Sequence, residues 1–294
     1  MIEKLKKVEL QDKNILEQYL IKCNRILCDF NFVNIFSWRN VFNTQWLFFD
    51  NTPVIYNAAD DLILMPCSCC VSFDLILRLS DNFKNDGKSG NFALVDIDFV
   101  EKNKTEIEKY FKIELDENNA DYIYITKKLV ELRGKKLQKK KNLVSQFLRN
   151  YPNYQILKMT KDDADMCFEL AEKWCAQKNC EEWGFNHEKS ALAEIFKNYN
   201  KLNVDGLLIK LDNNIIAFSL FSRQNDNTYT VHYEKFDNEL KGCGQLINWE
   251  TAKYLEDKCE YINREQDMGI EGLRQAKKSY QPEFLAYTYK LLRI

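Results

Sequence analysis

Val231–Ala252 reads VHYEKFDNELKGCGQLINWETA. Its first part belongs to an apolar–polar alternation over Thr228–Phe236, the period of a half-buried strand. Its last part opens a run, Gly244 to Lys258, with apolar residues at helical spacing. Lys241–Gly242–Cys243–Gly244–Gln245 joins the two. A strand feeding a helix is the unit of an α/β layer fold, in which helices must cover a sheet. At such a helix start, free backbone N–H groups suit phosphate or a developing negative charge. Gly242 and Gly244 would let backbone approach a ligand closely, so Gly242, Gly244 and Gln245 are the candidate cofactor-binding residues. A turn that simply needs glycine explains the same pattern.

Around this unit the second half predicts a strand at Tyr154–Met159, then a helix capped by Asp162 or Asp163, then a helix over His187 to Tyr199. Strands Gly206–Leu211, Ile215–Phe221 and Thr228–Phe236 follow as an antiparallel meander. After the Gly244 helix come strand Tyr261–Asn263, a helix over Ile270 to Ser279, and a last strand from Phe284 to Leu292. The first half repeats this order. Helices are predicted after Asp12 and over Asn31 to Trp38. Strands follow at Trp46–Phe49, Val54–Tyr56 and Leu62–Met65, then helix Val71 to Phe83, strand Phe92 to Phe99, helix Lys104 to Lys112 and strand Tyr122–Ile125. The reading is therefore an α/β, mixed-sheet tandem: domain one over 1–134, a connecting helix over 135–152, domain two over 153–294.

Composition bounds the function. The chain has 294 residues, 45% hydrophobic and 29% charged, with a formal net charge of -2. That is globular usage, with no global attraction to nucleic acid or anionic lipid. Locally, Asp96 to Asp121 carries nine acids against four lysines, and Lys127 to Arg149 carries nine basic residues against one acid. A basic helix there, with Lys135, Lys136, Lys139, Lys140 and Lys141, can guide an anionic partner such as tRNA or remain a solvated lysine face. No stretch approaches the roughly 18 apolar residues of a membrane span. The start MIEKLKKVEL lacks an apolar signal stretch, so a reducing, cytoplasmic setting is expected. The CSCC run of Cys67, Cys69 and Cys70 has no paired knuckle, and no metal site is expected.

The candidate chemistry lies in the second half. His232 and Glu234 fall on one face of the Thr228–Phe236 strand by simple alternation, and either can serve as a base. Lys235 follows them; an ion pair between Glu234 and Lys235 is the structural alternative. Tyr261–Tyr280, YINREQDMGIEGLRQAKKSY, holds Asn263, Arg264, Glu265 and Asp267 in a strand-to-helix connection. Arg274 and Lys277 share a helix face beyond it. A guanidinium there can grip carboxylate or phosphate, while Asp267–Arg274 or Glu265–Arg264 pairing would merely hold the loop. These charges are expected around an open, anion-friendly pocket beside Glu234.

Four stretches carry a resemblance: FNFVNIFSW at Phe30–Trp38, DYIYITKKLVELRGKKLQKKKNLVSQF at Asp121–Phe147, the Val231–Ala252 segment, and YINREQDMGIEGLRQAKKSYQPEF at Tyr261–Phe284. On these the chain resembles the DUF2156 family, related to the carboxyl-terminal catalytic region of phosphatidylglycerol lysyltransferase. The resemblance implies tandem GNAT-like domains and transfer of an acyl or aminoacyl group, the donor being aminoacyl-tRNA or an acyl-coenzyme A. The acceptor would be a small molecule or head group with an amine or hydroxyl. It lines the reaction centre with Glu234, Lys235, Asn263, Arg264, Glu265 and Asp267, supported by Arg274, Lys277 and Tyr280. With His232 added from the strand reading, His232, Glu234, Glu265 and Asp267 are the catalytic candidates and Lys235, Asn263, Arg264, Arg274, Lys277 and Tyr280 the substrate-binding ones. Glu239 stands where GNAT enzymes carry Arg or Gln before their coenzyme A loop, and an acid there repels pyrophosphate. Coenzyme A-dependent N-acetylation and a non-catalytic binding or regulatory scaffold are the alternatives.

Overall fold

Turn residues cut the chain into short alternating and helical stretches, and each stretch folds locally as its period demands. The computed structural model describes residues 2–68, 71–178 and 184–294. Cys69 and Cys70 of the CSCC run lie outside the described residues, and Cys67 is buried.

The first unit comprises 1–25, 29–120 and 286–294. Its elements are β1 (Lys6–Lys7), α1 (Lys13–Cys23), α2 (Phe32–Trp38), β2 (Thr44–Phe49), β3 (Thr52–Asn57), β4 (Leu62–Leu64), α3 (Phe73–Asn85), β5 (Asn91–Asp96), α4 (Ile97–Ile107) and β6 (Phe111–Leu115). Caps set the helix starts: the Asn31 side chain accepts from Val33 N at 2.9 Å, and Ser72 Oγ accepts from Leu75 N at 3.1 Å. The second unit comprises 26–28 and 121–285. It carries β7 (Asp121–Ile125), α5 (Thr126–Glu131), α6 (Gln138–Asn150), β8 (Gln155–Lys158), α7 (Ala164–Lys178), α8 (Gly184–Lys197), β9 (Val204–Leu211), β10 (Asn214–Arg223), β11 (Thr228–Phe236), α9 (Cys243–Leu255), β12 (Tyr261–Asn263), α10 (Glu271–Lys278) and β13 (Phe284–Ala286); β14 (Thr288–Arg293) follows.

Two seven-stranded mixed sheets result, ordered β1-β2-β3-β4-β5-β14-β6 and β13-β7-β12-β11-β10-β9-β8. Each has a meander leading to one parallel pair, β4 with β5 and β11 with β12. Helices α3 and α9 supply the crossovers those pairs require. The architecture is mixed α/β, with helices packed against two mixed sheets.

Several expectations change. The last predicted strand of each half lies in the sheet of the other half. β7 sits between β12 and β13, and β14 sits between β5 and β6. The units therefore interleave in sequence, whereas the sequence reading placed boundaries at 134 and 152. The strand predicted to Phe99 stops at Asp96, and α4 begins at Ile97, earlier than the predicted Lys104. Val100 and Ile107, seven apart, bury one face of α4. The unforeseen β6 follows it, and α5 was also unforeseen.

Helix α6 packs into the second unit. Its Val144 and Phe147 join α9 residues Leu246, Ile247 and Leu255, with Phe221 and Val231, in one core cluster. Phe147 is fully buried, with its ring 4.7 Å from that of Tyr151. Each such side chain contributes about 1.5–3 kcal/mol on burial. Lys139 and Lys141 of α6 are exposed, as are Lys135 and Lys136 in the turn before it, since the helix starts at Gln138 and not at the expected 135.

Candidate active site

Strand β11 presents the site, and a bulge decides how. Leu220 pairs with Tyr233, but its neighbour Phe221 pairs with Val231, so His232 is an extra residue. An extra residue inverts the faces beyond it. His232 therefore does not share a face with Glu234, as simple alternation had predicted. His232 reaches Ser222, whereas Glu234 stands opposite Ser219 on the other side of β10. Lys235 likewise points away from Glu234, which removes the predicted pair between them. It makes a bidentate bond to Glu188 of α8, 2.9 Å to each oxygen, and lies 3.9 Å over the Trp174 ring.

The ladder between β11 and β12 ends at Thr230 and Asn263. β11 runs on to Phe236, while Arg264 leaves β12 and bonds its backbone N–H to Tyr122 O at 3.0 Å. The Arg264 guanidinium donates to Glu234 Oε2, and Asn248 of α9 donates to Glu234 Oε1 at 3.3 Å. Glu234 and Arg264 side chains are 11% and 17% exposed. Burial pushes the Arg264 proton off, but Glu234 outweighs it and holds the guanidinium more firmly charged than usual. The Arg264 guanidinium lies 5.0 Å from the Tyr280 ring and 5.9 Å from that of Tyr124. Lys140 of α6 covers the Tyr280 ring at 4.3 Å, and burial, then Arg264, lowers its pKa. The Tyr280 hydroxyl is pushed up to about 12, chiefly by burial.

The rest of the polar loop is bound up internally. Asp267 accepts from Arg274 Nε at 2.8 Å and Nη2 at 2.9 Å, from Tyr122 OH at 2.6 Å and from Gly269 N at 2.8 Å. Burial alone would raise this carboxyl; those donors, Arg274 foremost, bring it down to about 2. A carboxylate so stabilised is a poor proton acceptor, which corrects its placement among the catalytic groups. Glu265 pairs with His232 rather than Arg264. His232 Nδ1 lies 2.9 Å from Glu265 Oε1, and Nε2 lies 2.8 Å from Ser222 Oγ. The His232 side chain is 3% exposed and Ser222 is buried. Glu265 itself has φ 58°, and Asn263 Oδ1 steadies it by accepting its N–H at 2.7 Å.

Lys277 does not face solvent. Its ammonium donates to Arg264 O and, at 2.7 Å, to Gln266 O, and burial, then Arg264, pulls it down to about 8. Asn263 donates to Ile26 O at 2.7 Å and to Asp121 Oδ2 at 2.6 Å. Asp121 is wholly buried and its carboxyl is pushed up to about 6 by burial, against the bonds from Asn263 and Cys28 N. Arg274, Lys277 and Asn263 thus brace the loop. Beside Glu234, where an open pocket was expected, the structure shows a charge pair with Arg264. A shallow surface hollow lies on the Lys235 side, its lining including Phe168, Ala171, Glu172, Glu188, Leu192 and Lys235.

The two glycines answer to packing. Gly242 has φ 92°, and a Cβ there would meet Leu143 O of α6 at 2.5 Å; one on Gly244 would meet the Phe236 ring at 2.6 Å. Glu239 is exposed, and Lys173 lies 3.5 Å from it and 2.7 Å from Asp237. Sequence reasoning missed Tyr122, Tyr124, Asn248, Glu188 and Ser222. Only the tyrosines carried a signal, two aromatic hydroxyls at period two on β7.

Similarity to known proteins agrees with this architecture. A crystal structure of a conserved protein of unknown function from Bacteroides thetaiotaomicron VPI-5482 superposes with TM-score 0.92 at 30% identity, covering 99% of each chain. The carboxyl-terminal DUF2156 domain of a putative lysylphosphatidylglycerol synthetase from Agrobacterium fabrum gives TM-score 0.67 at 14% identity, covering 96% of this chain and 92% of that one. An uncharacterised protein of Mycoplasmoides gallisepticum is 27% identical over 179 residues, 59% of this chain; the match spans only 56% of that relative's length. The family model described as phosphatidylglycerol lysyltransferase, C-terminal, matches residues 35–291, and the chain belongs to that family.

Proposed function

We propose that the second unit transfers an acyl group, specifically an aminoacyl group from charged tRNA, to an amine or hydroxyl acceptor. The observation that carries this is the Glu234–Arg264 pair in the gap where β11 and β12 part. Parting strands leave backbone N–H and C=O groups open to a ligand. The pair supplies a carboxylate to accept the acceptor's proton and a guanidinium to neutralise a developing oxyanion. Donor binding displaces Arg264 from Glu234, since one carboxylate cannot hold the guanidinium and take a proton together.

The aminoacyl form is preferred to a coenzyme A donor for three reasons. Glu239 puts an acid before the α9 turn. The space over Gly242 and Gly244 is filled by Leu143 and Phe236. Lys135, Lys136, Lys139 and Lys141 form an exposed basic face suited to tRNA phosphates. One observation favours the rival, a non-catalytic binding scaffold: Asp267–Arg274 and Glu265–His232 are already paired.

A thermal-shift screen with coenzyme A thioesters, nucleotides and charged tRNA separates these readings. The aminoacyl reading expects stabilisation by charged tRNA at low salt and none by coenzyme A. Stabilisation by acetyl-coenzyme A alone would replace it with N-acetylation.

A further inference from the structure

Lys140 sits in the first turn of α6, flanked by Lys139 and Lys141. Its ammonium lies 4.3 Å from the centre of the Tyr280 ring, and the Arg264 guanidinium lies 5.0 Å from the same ring. Two cations thus meet one aromatic side chain that is itself buried.

Other lysines withdrawn from solvent beside a ring are anchored by oxygen. Lys189, over Phe168, pairs with Glu172. Lys235, over Trp174, pairs with Glu188. Lys277, near the Tyr122 ring, donates to the carbonyls of Arg264 and Gln266. Lys140 is half-buried too, yet among the described residues no carboxylate or carbonyl oxygen holds its ammonium. Burial, then Arg264, then Lys139 all act against its charge. The start of a helix is also its positive end, which disfavours a cation there. A charge kept in such a place without a counter-ion costs stability, and proteins retain such costs where they bind something.

Arg264 has capacity left. It meets Glu234 through Nη2, and a guanidinium carries five N–H donors. Lys140, Arg264 and Glu234 together hold two positive charges against one negative. We propose that Lys140 and Arg264, against the Tyr280 ring, seat a phosphate group. A phosphate supplies the missing negative charge. Its tetrahedral oxygens also suit two cations that arrive from different elements, α6 and the loop after β12, better than the planar pair of a carboxylate. A phosphate seated there competes with Glu234 for the guanidinium, which is the displacement that donor binding requires. In this respect the inference rests on the proposed transfer, but its test reads binding and needs no transfer.

The test measures the melting temperature of the full chain over a phosphate series, against chloride and acetate at matched ionic strength. The parent should rise in phosphate by about 3 °C or more at roughly ten times the dissociation constant, beyond any rise in acetate. Lys140→Met keeps an unbranched stem over Tyr280 without the charge. It should melt no lower than the parent in chloride and should lose the phosphate increment. Lys140→Arg should keep the increment. So should Lys258→Met, which alters an exposed lysine over the Tyr254 ring. Adenosine monophosphate and glycerol 3-phosphate tell a nucleotide phosphate from a head-group one: the source is the ester whose increment exceeds that of inorganic phosphate and vanishes in Lys140→Met. The inference is overturned if phosphate raises the parent no more than acetate does, if Lys140→Met retains the increment, or if Lys258→Met loses it equally. A Lys140→Met chain that melts well below the parent in chloride makes the ammonium a structural contact and also overturns it. A chain with the expected phosphate pattern and no transfer keeps the seat and loses only the transfer reading.

Discussion

The Arg264 guanidinium reaches from the end of β12 to the Glu234 carboxylate on β11, just past Thr230 and Asn263, the last residues the two strands pair. A charge pair thus spans the gap where backbone pairing stops. Removing one partner of a buried pair leaves an uncompensated charge, which costs about 3–5 kcal/mol. Arg264→Ala should therefore lower unfolding free energy by roughly that amount in urea titrations. Adding Glu234→Gln should return much of the loss. A double variant no more stable than Arg264→Ala would show that the pair carries no such coupling.

Two buried carboxyls should give opposite pH dependences. Asp121 is raised to about 6 in the folded chain, so its contribution is full below its unfolded value near 3.8 and is lost as pH rises through about 6. Asp267 is lowered to about 2, so its contribution is full above 3.8 and is lost as pH falls towards 2. Each shift of about two units corresponds to about 2–3 kcal/mol. Asp121→Asn should flatten the decline between pH ~4 and ~6, and Asp267→Asn the acid-side loss below ~4. Chemical denaturation at half-unit pH steps reads both. Identical profiles for a variant and the parent would contradict the assigned shift.

Two glycines should respond oppositely to alanine. Gly242→Ala places a Cβ against Leu143 O at a left-handed φ, so α9 or α6 must move; a loss of about 2 kcal/mol or more is expected. Gly272 of α10 has nothing within 4 Å of its would-be Cβ. Gly272→Ala should be neutral or gain up to about 1 kcal/mol from helix propensity. Thermal unfolding of the two variants checks the contrast.

The element order was legible because period and turn chemistry are local. The strand-to-helix step at Gly242 and the meander before it follow from alternation and glycine alone. The exchange of β7 and β14 was not legible, since DYIYI pairs equally well in either sheet by its own pattern. The bulge at His232 was hidden for a related reason: one unpaired residue leaves the composition of β11 unchanged yet reverses which side chains meet. The polar loop was found, but its partners were not. Glu188 lies 47 residues from Lys235 and Tyr122 lies 145 from Asp267, separations at which sequence carries no contact information.

The lysine face should bind tRNA electrostatically. Changing Lys135, Lys136, Lys139 and Lys141 to Gln should weaken binding at every salt concentration. The log–log salt slope should flatten by about 0.7–0.9 per phosphate contact removed. Filter binding between low and physiological salt measures it. An unchanged slope would move tRNA elsewhere on the chain or exclude it.

Release of a labelled amino acid from a panel of charged tRNAs, with pooled amine and head-group acceptors, tests the transfer reaction most directly. The account expects one or more tRNAs to lose label to an acceptor with the parent chain, and that transfer to fall at least about 100-fold for Glu234→Gln, the scale of a lost general base. No transfer from any tRNA, or transfer that Glu234→Gln leaves intact, would contradict a reaction centred on Glu234 and Arg264.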